Sequence, residues 1–283
     1  MNRSEVRQGK IAIVGIPSDQ NSSFMKGAAE GPARIREALR SEASNLWTEY
    51  GVDLGAGGAL FDAGDVLSKS DADHFERIEE SIAALIERKV HPIVLGGDHA
   101  VTYPVVRAIA RQWPRLSLLQ FDAHPDLYDE FQGNRFSHAC PFARIMEEGL
   151  AGRLVQVGIR AMTGHQREQA RRFNVETIEM KDWSDDPVLS FDGPIYISFD
   201  MDALDPAFAP GVSHREPGGL SVRQALRLIQ RVGGQVVGAD VVEFNPRLDT
   251  SGLTATVCAK LLKELAARIL AGNLPVAVRT LFC

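Results

Sequence analysis

At 283 residues, 45% of them hydrophobic and 24% charged, the chain is long enough to bury a sizeable core within one large domain. Its net charge of -6 argues against a nucleic-acid or anionic-membrane partner, and no stretch approaches the ~20 apolar residues of a membrane span. Cys140, Cys258 and Cys283 are widely spaced and form no CxxC pair, which excludes a disulfide framework and a thiolate zinc site; with no secretory leader pattern, a cytoplasmic protein is expected.

Short β-branched runs alternate with segments of helical period along the chain. In order, the pattern predicts a strand at 11–16, a helix at 73–88, a strand at 93–95, a helix at 102–112 and a strand at 116–122. A helix at 136–148, a strand at 154–159, a helix at 166–173, a strand at 195–200, a helix at 221–232 and a strand at 236–244 follow. The last helix, 254–270, sets Val257, Leu261, Leu262, Leu265 and Ile269 on one face, as a core helix requires. Strands separated by helices of this length need crossovers, so the expected fold is a three-layer α/β/α domain over 1–283 with a mostly parallel central sheet. Ligands of such sheets sit beyond the carboxyl ends of the strands, where active residues should gather.

Three strand ends carry metal-binding residue types. Residues 119–129 read LQFDAHPDLYD: Asp122 and His124 share a strand face, and Pro125 ends the ladder so that Asp126 can turn toward the same point. Residues 197–206 read ISFDMDALDP, with Asp200 and Asp202 again on one face. A third strand ends in LGGDH, whose glycines permit close backbone approach before His99. Four buried carboxylates converging on one point are costly without a cation, and two divalent ions bring four compensating charges. Carboxylate and imidazole donors without sulfur favour a hard to borderline metal such as manganese; iron, zinc, nickel and cobalt are also compatible. Paired ions of this kind activate water and clamp a developing oxyanion during hydrolysis.

The motifs GGDHA (96–100), FDAHPDLYD (121–129) and SFDMDALDPAFAPGV (198–212) resemble those of the ureohydrolase family: arginases, agmatinases and related guanidino hydrolases. The resemblance is strongest to plant-type arginases and runs through NSSF (21–24), GPARIREAL (31–39), FSHACPFARIMEEG (136–149), LVQVGIR (154–160), PGVSHREPGGLS (210–221) and VVGADVVEFNP (236–246). It implies the arginase-like fold and two Mn2+ per subunit, with Asp122 and Asp200 bridging both ions. His99 and Asp126 would complete one coordination sphere, and His124 and Asp202 the other. His138 matches the family's proton-shuttling histidine, and Glu243 the glutamate that pairs with a substrate guanidinium. The implied reaction is L-arginine and water to L-ornithine and urea; the alternatives are agmatine to putrescine and urea, or another guanidino acid. The resemblance also implies a homotrimer or homohexamer acting on a small guanidino substrate.

Taken alone, several of these side chains have ordinary readings. Glu243 resembles any capping or ion-paired carboxylate, and His138 falls in a predicted helix where a packed histidine is equally expected. His74, His165 and His214 have no metal-ligand spacing and read as structural or solvated; Cys140 reads as a small buried residue. Animal-type arginases carry asparagine where this chain has Tyr128, as agmatinases and plant-type arginases do. Asn134 and Ser137, in the polar loop 129–137, are the candidates for an α-carboxylate. The tail 273–283, with its LPVAVRTLF run, is expected to cover the core or an oligomer contact.

Overall fold

The computed structural model describes residues 10–68, 73–184 and 187–273. In chain order these form β1 (Ile11–Ile16), α1 (Gly31–Leu39), β2 (Leu60–Asp65), α2 (His74–Ile86), β3 (His91–Gly96), α3 (Thr102–Gln112), β4 (Ser117–Phe121), α4 (Pro141–Glu147), β5 (Arg153–Ile159), α5 (Gly164–Arg172), β6 (Glu176–Glu179), β7 (Ser190–Asp200), α6 (Val222–Arg231), β8 (Gly233–Val242) and α7 (Leu253–Asn273). Among the described residues the strands make one eight-stranded sheet in the order β2-β1-β3-β8-β7-β4-β5-β6, with every neighbouring pair parallel.

The two-residue period of each strand divides its side chains between two cores. Ile11, Ile13, Ile93, Leu95, Leu119, Phe121, Ile197 and Phe199 pack toward Ile35 of α1, Leu226 of α6 and Leu261 and Leu265 of α7. Their neighbours Ala12, Val14, Ile16, Val94, Leu118 and Leu154 pack toward Ile82 of α2, Ile109 of α3 and Phe142 of α4. Each such Leu or Ile contributes roughly 1.5–3 kcal/mol on burial, so the continuous apolar strands are stable only when covered on both faces. The predicted apolar face of α7 is buried throughout, from Val257 to Ile269. No described helix is long and apolar enough to cross a membrane.

Three elements were not predicted, and each is weakly apolar. β2 and β6 are the sheet's two edges, half-exposed and rich in Asp and Glu, which carry no continuous hydrophobic run. β2 is tied instead by ion pairs from Arg36 to Asp62 and Asp65. α1 starts at a Gly-Pro and buries chiefly Ile35 and Leu39 among charged neighbours. The helix expected over 136–148 is confined to Pro141–Glu147, because Pro141 at its first turn fits a helix start and the preceding backbone forms tight turns. His138 therefore lies in a turn, contrary to expectation. The expected covering role of the tail falls on 274–283, outside the described residues.

The four strands at the middle of the sheet, β3, β8, β7 and β4, all end on the same side. Beyond their carboxyl ends lie His99, Glu243, Asp200 with Asp202, and Asp122 through Asp126.

Candidate active site

The strand ends converge because the backbone there permits close approach. A Cβ on Gly97 would come within 1.8 Å of the Ser18 carbonyl, so only glycine lets the segment after β1 pack here. The Gly97 carbonyl in turn accepts from Glu243 N at 2.8 Å, locking the tip of β8 beside that of β3. Glu243 and Asp126 both hold left-handed backbone, at φ 61 and φ 50, a costly conformation for side chains of this kind. Both strained residues aim carboxylates into the same cavity, of about 490 Å³.

His99 is wholly buried, and its Nδ1 lies 3.2 Å from Asp122 Oδ2, 3.0 Å from Asp126 Oδ2 and 3.2 Å from Asp200 Oδ2. The opposite ring nitrogen explains this orientation. Ser198 Oγ donates to Asp240 Oδ1 at 2.7 Å and therefore accepts from His99 Nε2 at 2.9 Å. That relay puts the proton on Nε2 and leaves the Nδ1 lone pair facing the carboxylates. Nδ1 is buried without a hydrogen-bond partner, as a nitrogen awaiting a cation would be. His124 Nδ1 stands 3.1 Å from Asp202 Oδ2 and 3.6 Å from Asp122 Oδ1.

Two ligand triads result: His99 with Asp122 and Asp126, and His124 with Asp122 and Asp202, each with donor atoms within 4.8 Å of one another. Asp122 is common to both, and Asp200 adjoins the first through His99. Compensation among the carboxylates is uneven: burial opposes charge on Asp122, yet His124 and His99 hold it below the usual carboxylate range, whereas Asp126 and Asp200 are left raised. Burial, then the negative neighbour Asp122, pushes Asp126 up to about 6. Burial followed by Asp202 and Asp122 raises Asp200 well above the carboxylate range. A divalent ion in each triad relieves both effects, so the donor set fits a pair of hard or borderline metal ions.

Glu243 Oε1 accepts from the His99 backbone N at 2.9 Å and contacts His138 Nδ1 at 2.9 Å. His138 Nε2 meets Ser23 Oγ at 2.8 Å. Burial opposes charge on His138, but Glu243, together with Asp126 and Asp98, outweighs it and carries the imidazole up to about 9. Behind them the fully buried Asp98 accepts from Asn21 N and Ala100 N, at 2.8 and 3.1 Å.

The six expected ligands, Glu243 and His138 are thus brought together. Asn134 and Ser137 are not among the residues lining the cavity: the Asn134 amide donates to Asn21 Oδ1 and accepts from Phe136 N, and Ser137 Oγ accepts from Ala139 N. Cys140 is buried as expected, with burial pushing its thiol up to about 12. Sequence reading missed His214, which lines the cavity with its ring 5.2 Å from that of His138. It also missed the buried supports Ser198, Asp240 and Gln120, whose Nε2 donates to Asp122 Oδ2 at 2.7 Å. A signal for the last three was present: each is a polar residue interrupting an otherwise apolar central strand.

Residues 9–267 match the arginase family. Over 279 residues the chain is 49% identical to arginase 1, mitochondrial, of Arabidopsis thaliana, covering 93% of this chain and 82% of the relative. It is 37% identical over 277 residues to agmatinase, mitochondrial, of Gallus gallus, covering 90% and 79%. The solved arginase of Medicago truncatula superposes with a TM-score of 0.88 at 45% identity, covering 92% of this chain and 87% of that one. The expectation of a cytoplasmic protein is corrected by these relatives, which are named mitochondrial.

Proposed function

The chain belongs to the arginase family, hydrolases of linear amidines, and on that premise we propose that it converts L-arginine and water to L-ornithine and urea. The observation that carries this reading is His99, which joins the two halves of the site. Its ring faces Asp122, Asp126 and Asp200, while its backbone N–H holds Glu243 Oε1 at 2.9 Å. A carboxylate suited to guanidinium is thereby fixed, through one residue, beside the cluster that would hold the ions.

His99, Asp122, Asp126, His124, Asp200 and Asp202 would hold two Mn2+. When bound, the ions supply an activated water and clamp the developing negative charge. Glu243 orients the planar guanidinium through charge-assisted hydrogen bonds. Asp126 holds a proton for the leaving amine. His138 exchanges protons with solvent, with Ser23 Oγ next to its Nε2 at the half-buried side of the cavity.

The far end of the substrate meets a different wall. Once the metal set and Glu243 are assigned, Glu216 is the lining carboxylate left over. Arg160 pins its carbonyl from Nε at 3.0 Å and from a terminal nitrogen at 2.6 Å, fixing the backbone from which the side chain meets an α-ammonium. Asn134 and Ser137 have no part in this reading. Greater identity to the relative named arginase than to the one named agmatinase supports arginine over agmatine. The assembly proposed with it is a homotrimer or homohexamer, and sedimentation of the loaded protein as a monomer would overturn that.

The test is urea release by the manganese-loaded protein from equal concentrations of arginine, agmatine and 4-guanidinobutyrate. Arginine should be the fastest. A clear preference for agmatine would overturn the assignment.

A further inference from the structure

We propose that His138, His214 and Glu243 form a third cation site, selective for a borderline transition metal such as zinc, whose occupation excludes the guanidino substrate. The donor atoms of these three side chains lie within 4.8 Å of one another, and all three residues line the cavity. His138 Nδ1 and Glu243 Oε1 are 2.9 Å apart, a few tenths short of the ~3.3 Å that separates two tetrahedral ligands at zinc distances. Only the half-buried His214 has farther to move, and its ring already lies tilted at 37° beside that of His138.

A metal ion here takes the place of the proton that His138 holds against Glu243. Glu243 carries one negative charge, and Asp98, fully buried behind it, interacts electrostatically with both Glu243 and His138. Two imidazoles and one carboxylate with an open fourth position is a donor set that suits zinc. Manganese prefers oxygen-rich surroundings, which the neighbouring aspartate clusters provide. The third site therefore sorts metals by donor type and stays empty of the hard ions that fill the first two.

That this ion blocks substrate rests on the reading of Glu243 as the guanidinium partner; that it binds does not. A zinc ion on Glu243 occupies the only carboxylate that the reading gives to the guanidinium, so inhibition should be competitive.

The experiment adds Zn2+ to the manganese-loaded protein, quantifies both metals after gel filtration, and locates zinc by anomalous diffraction at its absorption edge. The expected result is one zinc per chain at the three residues with both manganese ions retained, and inhibition competitive with arginine. In His214→Thr, and separately in His214→Asn, manganese content should be unchanged while zinc affinity falls on the order of tenfold or more, as loss of a metal-binding contact does. Zinc found only in place of manganese, or an unchanged third equivalent in both variants, would overturn the site. A wild type that hydrolyses no guanidino compound would sink the functional reading instead, and the anomalous peak would still report on zinc.

Discussion

The carboxylates of the cavity and those around Glu49 obey opposite electrostatic rules. Glu49 accepts from Arg223 at 2.7 and 3.0 Å and from Gln230 at 3.0 Å, and Lys260 lies 3.2 Å away; these contacts, Arg223 first, lower its pKa to about 2. The adjoining Glu264 is fully buried yet satisfied by Lys260, Gln230 and the Glu49 backbone. In the cavity, Asp126 is raised by burial and then by Asp122, and Asp200 by burial and then by Asp202 and Asp122. One region carries its own countercharge, and the other is built one set of cations short. That shortfall suits the cavity to metal ions, which would relieve carboxylates that are otherwise neutralised only by protons.

The largest expected effect comes from breaking the cavity's side of the contrast. Asp126→Asn removes a proposed ligand and proton carrier, and should lower urea release about 10³-fold or more. In chelator-treated protein the same change should act the other way on stability. A folded-state pKa raised from 3.8 to about 6 means that ionising Asp126 costs stability as pH rises through that interval. Asn carries no such cost, so at pH 7 the metal-free variant should be the more stable by up to about 3 kcal/mol, at 1.36 kcal/mol for each pK unit. Denaturant titration of both proteins with and without chelator decides it. A metal-free variant less stable than wild type would show that the carboxylate is not short of countercharge.

Asp240→Asn tests the support behind the cluster. Asp240 takes donors from Ser198, Thr102 and Tyr196, and the first of these sets the His99 tautomer. An amide there can donate to Ser198 and reverse the relay, which should weaken metal affinity by about 10- to 100-fold. Thr102→Val, which deletes a donor to Asp240 without touching His99, should cost much less. Equal losses in the two variants, read by metal titration, would argue against tautomer control.

What was legible in the sequence follows the same division. The cavity's chemistry was readable because DxHxD, DxD and GGDH each follow an apolar strand, and because the middle strands are apolar on both faces. His214 was not: no partner lies at ligand spacing, and only the fold brings its loop against His138. Nor was the fate of Asn134 and Ser137, whose side-chain oxygens accept from Phe136 N and Ala139 N of their own turns while the Asn134 amide donates to Asn21, so that neither lines the cavity. β2 and β6 escaped for a related reason: edge strands are held by charged pairs and neighbours rather than by a hydrophobic run of their own. Central, buried chemistry leaves a pattern in the chain, whereas loops converging on a cavity leave residues without a period.

A smaller effect is expected where charge meets the substrate's far end. Glu216→Gln should raise KM about tenfold for arginine and agmatine, the worth of one charge-assisted hydrogen bond at a half-buried site, with kcat little changed. 4-Guanidinobutyrate, which has no ammonium, should be unaffected. A uniform rise across all three substrates would assign Glu216 to the shape of the wall rather than to recognition.

The smallest effect tests the self-compensated region. Arg223 and Glu49 are exposed by 56% and 33%, so Arg223→Ala should cost less than about 1 kcal/mol at neutral pH. Its pH dependence is the informative part. Glu49 has a folded-state pKa below its ordinary 4.5, so its contribution is complete above that value and is lost as pH falls toward about 2. The difference in Tm between wild type and Arg223→Ala should therefore be flat above pH 5 and vanish near pH 2. For metal-free Asp126 against Asn the dependence runs the other way, growing as pH rises from 3.8 to 6. Two carboxylates of one chain would then titrate with opposite sign, and a Glu49 difference that persisted undiminished at pH 2 would mean that Arg223 acts through packing of its long side chain rather than through charge.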